Sequence, residues 1–161
     1  MRRITTIAVL SALMLALTAT VAFAATLHGT AYGDYIKGTS SADVIYGYGG
    51  DDALLGYGGD DKLYGGYGHD GLYGGAGNDQ LRGGPGDDRA EERSVHGGSG
   101  NDTLWGESGA DALYGGPGDD MVYSTGDYAG DYVDCGSGVD TVKKGADLSY
   151  DRFVGCENFV S

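Results

Sequence analysis

A nine-residue period starts at Gly29 and continues to residue 143, which limits the chain to folds built by stacking one small unit on copies of itself. Complete copies read GGYGHDGLY from Gly65, GGAGNDQLR from Gly74, GGSGNDTLW from Gly97 and GGPGDDMVY from Gly115. Looser copies begin at Gly29, Gly38, Gly47, Gly56 and Gly106, then at Gly126 and Cys135 after a slip at Ser124 and Thr125. The copy at Gly83 is interrupted by extra residues within Arg89 to Ser94. Position six is aspartate in every copy: Asp34, Asp43, Asp52, Asp61, Asp70, Asp79, Asp88, Asp102, Asp111, Asp120, Asp131 and Asp140. Position eight is aliphatic in every copy, with Val95 serving the interrupted one: Ile36, Ile45, Leu54, Leu63, Leu72, Leu81, Val95, Leu104, Leu113, Val122, Val133 and Val142.

One aliphatic side chain per nine residues is a thin core. The chain also carries 33 glycines, each costly to order and bringing no side chain to bury. Two prolines and the lack of a three-residue glycine period exclude collagen. A net charge of −14 repels nucleic acid and anionic membranes. The chain is therefore either a disordered acidic tail or a fold completed by something outside the polypeptide.

The pattern G-G-x-G-x-D-x-U-x resembles the RTX (hemolysin-type) calcium-binding repeat family over residues 29 to 143. The resemblance implies an all-β fold, a parallel β-roll or calcium-stabilised β-solenoid. Its glycine-rich six residues form a turn, the next three a short strand, and calcium lies between successive turns on each edge.

The residue types suit that chemistry. Calcium takes six to eight oxygen ligands from carboxylates and backbone carbonyls, and turns without bulky side chains can aim carbonyls inward. With two copies to a coil, copies of equal parity stack at the strand spacing of about 4.8 Å. One edge is then expected to carry Asp34, Asp52, Asp70, Asp88, Asp111 and Asp131, and the other Asp43, Asp61, Asp79, Asp102, Asp120 and Asp140. All twelve are candidate metal ligands. Stacked carboxylates repel, so the fold is expected to form only when the ion binds, binding energy supplying folding energy. Near the ends, Tyr32, Ser41 and Ala129 replace the fourth-position glycine. Solenoid caps show such irregularity, and metal sites can be absent there.

Outside the repeat, residues 1–24 read as an export signal. Arg2 and Arg3 give a positive start, Ile7 to Leu17 an apolar run, and Ala22-Phe23-Ala24 a small-residue cleavage site. The apolar run is shorter than the ~20 residues that span a bilayer. The expected organisation is a signal peptide over 1–24, the β-roll over 25–143 and a C-terminal cap over 144–161. Secretion would place the chain outside the cytoplasm, where thiols oxidise. Cys135 and Cys156, the only cysteines, are expected to form a disulfide there that pins the cap. Leu148, Phe153, Val154, Phe159 and Val160 are candidates to cover the last coil.

Other features receive plainer readings. Asp51, Asp60, Asp87 and Asp119 precede the motif aspartate and read as solvated turn residues. His28, His69 and His96 form no HExxH motif and read as turn or surface residues. At position nine, Tyr46, Tyr64, Arg82, Trp105 and Tyr123 align on one outward sheet face, as cross-strand stacking with cation–π support. The expected function is thus a secreted, non-enzymatic calcium-binding protein, because repeat and cap leave no room for a catalytic domain. The alternative is a calcium-dependent surface adhesin or scaffold that offers its aromatic face to a cell-surface glycan or protein.

Overall fold

A computed structural model describes residues 23–89, 93–124, 128–145 and 151–160. The expected export signal, apart from Phe23 and Ala24, and Leu148 of the expected cap lie outside the described residues. Strands alternate between two parallel sheets, so each coil contributes one strand to each sheet. The eight-stranded sheet runs β1 (Thr26–His28), β3 (Val44–Gly49), β5 (Lys62–Tyr67), β7 (Gln80–Pro85), β9 (Thr103–Ser108), β11 (Met121–Ser124), β13 (Thr141–Lys144) and β15 (Asn158–Val160). The seven-stranded sheet runs β2 (Tyr35–Lys37), β4 (Ala53–Gly58), β6 (Gly71–Ala76), β8 (Val95–Ser99), β10 (Ala112–Pro117), β12 (Tyr132–Ser137) and β14 (Arg152–Val154). This is the parallel β-solenoid that the repeat implied, with no helix among the described residues.

Register follows the repeat. Ile45 pairs with Leu63, Leu63 with Leu81, and Leu81 with Leu104, so position eight stacks on position eight along each sheet. Every position-eight side chain from Ile45 through Val142 is fully buried, and Ile36 is half-buried at the open amino-terminal end. Val95 lies in register with Leu72 and Leu113, so the extra residues before it leave the ladder intact.

Most strands run longer than three residues. In the central copies they continue through positions one to three of the next copy, as in β5, where Lys62-Leu63-Tyr64 leads into Gly65-Gly66-Tyr67. Position one then faces inward like position eight, and in these central copies it is glycine. A Cβ on Gly65 would overlap Asp70 Oδ2 and lie 2.5 Å from the Gly83 carbonyl oxygen one coil on.

The carboxy-terminal segment lengthens the roll. β14 pairs with β12 and β15 with β13, each in parallel. Phe153 packs against the core, while Val154, Phe159 and Val160 remain partly exposed. Lys144 Nζ sits 3.7 Å from the Phe159 ring centre and 4.7 Å from that of Phe153. The Cys135–Cys156 disulfide, with Cα atoms 5.2 Å apart, ties this segment to β12.

Candidate metal centre

Each motif aspartate closes a glycine-rich turn, and from Asp43 onward its Oδ1 accepts the backbone N–H of the residue stacked on it one coil earlier. On one edge the chain of bonds runs Asp34 N–H to Asp52, Asp52 to Asp70, Asp70 to Asp88, Asp88 to Asp111 and Asp111 to Asp131, at 2.6–3.0 Å. The other edge runs Asp43 to Asp61, Asp61 to Asp79, Asp79 to Asp102, Asp102 to Asp120 and Asp120 to Asp140, at 2.7–2.8 Å. The structure thus gathers the twelve aspartates into the two rows that copy parity gave.

Sequence reading missed how the rows end. Asp131 N–H donates to Asp151 Oδ1 at 3.1 Å, and Asp140 N–H to Glu157 Oε2 at 2.9 Å. Asp151 and Glu157 fall outside the nine-residue register, so the last motif aspartates have stacked neighbours that the period could not reveal. At the other end Ala25 N–H donates to Asp43 Oδ1.

The second carboxylate oxygen sets the chemistry. On Asp52, Asp61, Asp70, Asp79, Asp88, Asp102, Asp120 and Asp140, Oδ2 is buried and accepts no hydrogen bond. A buried acceptor left without a donor costs about 1–3 kcal/mol, and more when charged. Burial is the main cause that pushes these carboxyls above their ordinary 3.8, partly offset by the N–H each accepts. Asp88 rises to about 8, Asp102 to about 7, and Asp61, Asp70 and Asp120 to about 6. Asp52, Asp79 and Asp140 move upward for the same reason. Neighbouring acidic groups add to most of these shifts; for Asp88 they are Asp111, Asp70 and Asp87.

Such oxygens call for a cation. Among the described residues no three His, Cys, Asp or Glu side chains converge as a metal-holding group. A bound ion would therefore take the rest of its shell from backbone carbonyls. Hard, all-oxygen donation with few carboxylates is the donor set of calcium, whereas zinc and copper favour imidazole or thiolate. The residues present fit a calcium ion.

A second, outer ladder involves position five. Asp51 Oδ1 accepts the His69 N–H, Asp60 Oδ1 that of Asn78, Asp87 Oδ1 that of Ala110, and Asp119 Oδ1 that of Val139. These bonds run from the later coil to the earlier one, opposite to the inner rows. The aspartates are surface turn residues, as expected, but they also satisfy a neighbouring coil's amide. Arg93 completes this surface with a 2.6 Å ion pair to Asp51.

The aromatic row forms as expected on the eight-stranded sheet. Tyr46 stacks on Tyr64 and Trp105 on Tyr123, each pair with centroids 5.0 Å apart, and the Arg82 guanidinium lies 4.5 Å from the Trp105 ring centre. Near-parallel rings at that separation overlap face on, because side by side they would collide. A matching stack on the other sheet was not foreseen: His96 lies between Tyr73 and Tyr114, at 5.0 and 4.5 Å. Burial there holds the His96 imidazole below its usual range.

Comparison with known proteins agrees with this geometry. The family model described as RTX calcium-binding nonapeptide repeat (4 copies) matches residues 28–63, 55–90 and 94–122, together more than half of the chain. No curated protein matches it. Inward carboxylates on a nonapeptide solenoid and the extent of that match lead to one assignment: the chain belongs to the RTX calcium-binding nonapeptide repeat family.

Proposed function

We propose that this chain is a secreted calcium-binding protein whose repeats fold when they meet extracellular Ca2+, and that calcium binding is its activity. The observation that carries the reading is the set of buried Oδ2 atoms that accept no hydrogen bond. With no cation, the fold asks adjacent carboxylates to lose water and face one another. At a coil spacing of about 4.8 Å, two such charges repel by about 0.9 kcal/mol in water and about 3.5 kcal/mol at an effective dielectric constant of 20. A divalent ion between coils reverses the sign of that interaction. In this reading the motif aspartates supply charge, the turn carbonyls complete the shell, and the aliphatic columns hold the coils in register. No bond is made or broken, and the ion's role is to neutralise and cross-link.

Export is supported by the Arg2-Arg3 start, the apolar run from Ile7 to Leu17 and the Ala22-Phe23-Ala24 site. The Cys135–Cys156 bridge fits an oxidising compartment. Rings that spend their faces on each other favour a sheet-stabilising role for the aromatic row over a sugar platform. Calorimetric titration of the purified chain tests the proposal. Several equivalents of Ca2+ should bind with a large folding enthalpy, while Mg2+, which demands a tight octahedral shell and keeps its water, should give little heat. Equal responses to both ions, or none, would overturn it.

A further inference from the structure

We infer that the turns do not share the ion equally: those closed by Thr30, Thr39 and Ser124 are metal-free ends, and a left-handed residue at position two marks the turns that take calcium. This rests on the proposed function and goes beyond it by dividing aspartates that share one position of the repeat by what each carboxylate meets.

The division lies in what meets Oδ2. Asp34 Oδ2 accepts the Thr30 N–H at 2.6 Å and the Thr30 hydroxyl at 2.8 Å. Asp43 Oδ2 accepts the Thr39 N–H at 2.5 Å, and the Thr39 hydroxyl lies 3.3 Å from Asp43 Oδ1. Asp131 Oδ2 lies 3.1 Å from the Ser124 hydroxyl, which is also 2.8 Å from Asp151 Oδ2. In these turns the protein's own donors stand where a cation would otherwise neutralise the carboxylate. The aspartates from Asp52 to Asp88, with Asp102, Asp120 and Asp140, have no such donor.

The backbone sets the two threonine turns apart in the same way. In every turn whose aspartate has the orphan oxygen, position two is left-handed: φ is +81° at Tyr48, +76° at Tyr57, +111° at Gly66, Gly75, Gly84 and Gly116, +116° at Gly98 and +95° at Gly136. Thr30 and Thr39, at the same position, are not in that region. A β-branched residue resists a positive φ, so threonine keeps its N–H on the carboxylate, whereas a left-handed residue turns that N–H away. Tyr48 and Tyr57 adopt the conformation although bulky side chains avoid it. Strain of that kind persists where the surrounding structure enforces it for a purpose, and here it leaves Oδ2 open. Both threonine turns lie towards the amino-terminal end, one on each edge.

Native mass spectrometry of the full chain in calcium tests this. Asp34→Asn and Asp43→Asn should carry as many Ca2+ ions as the unsubstituted protein, whereas Asp70→Asn should carry at least one fewer. Equal loss in Asp43→Asn and Asp70→Asn would overturn the inference while leaving the proposed function in place. A wild-type chain that binds no calcium would sink both. Should a variant fail to fold, anomalous scattering from calcium-grown crystals of the unsubstituted protein answers the same question. Peaks are expected beside Asp70 and Asp79 and none beside Asp34 or Asp43; a peak at Asp43 refutes the division.

Discussion

Replacing Asp70 by asparagine should change stability in opposite directions with and without calcium. Asp70 is fully buried, its Oδ1 accepts the Asp52 N–H at 2.8 Å and its Oδ2 accepts nothing. Burial lifts its carboxyl from 3.8 to about 6. The folded chain therefore favours the protonated form, and this contribution to stability is complete below pH 3.8 and lost as pH rises through about 6. At pH 8 without metal, ionisation of this one group costs the fold about 3 kcal/mol. The replacement side chain would keep an acceptor for the Asp52 N–H and remove the charge, but bury an amide donor at about 1 kcal/mol, so Asp70→Asn should favour the metal-free fold by about 2 kcal/mol. In calcium the same change removes a charged ligand, and the ion concentration at half-folding should rise at least about tenfold. Folding of both proteins by an excluded osmolyte in chelator, and by calcium in its absence, can be followed by far-ultraviolet circular dichroism. Asp70→Asn should need less osmolyte and more calcium. A variant destabilised to the same extent in both arms would refute the reasoning, since the carboxylate would then be only a hydrogen-bond acceptor.

Three further outcomes follow from the geometry. The metal-free chain should gain β structure as pH falls from 8 towards 4, because Asp88, Asp102 and Asp131, raised to about 8, 7 and 7, protonate in the fold before they would in the coil. Gly65→Ala should destabilise the calcium-bound roll by about 3 kcal/mol through overlap with Asp70 Oδ2 and the Gly83 carbonyl, whereas Gly49→Ala, whose Cβ would come no closer than 3.7 Å to the Tyr67 carbonyl oxygen, should lower the melting temperature little. Reducing the Cys135–Cys156 bridge, which spans 21 residues, should cost about 3 kcal/mol, seen as earlier exchange of the β12 and β14 amides than of the β6 amides.

The period made the aliphatic columns legible, and the family resemblance it carries made the solenoid and its two rows of aspartates legible, because two copies per coil leave few ways to stack. The bridge was legible from there being only two cysteines. What stayed hidden breaks the period. Asp151 and Glu157 end the rows from outside the register. His96 joins a ring stack only because Val95 restores register after the interruption at Arg89 to Ser94. Tyr48, Tyr57 and Glu107 hold left-handed positions that the pattern reserves for glycine, and composition cannot show that the backbone there is the same. Thr30 and Thr39 stand at position two, where the complete copies have glycine, and only their hydrogen bonds show that these donors distinguish the first turns from the rest.

Small-angle scattering of the purified chain, first in chelator and then in millimolar calcium at pH 7.5, tests the central claim most directly. The two carboxylate rows should hold the metal-free chain near the radius of gyration of an unfolded polymer, about 40 Å for a chain of this size, and calcium should collapse it to less than half that value. An equally compact particle in both solutions would contradict the account.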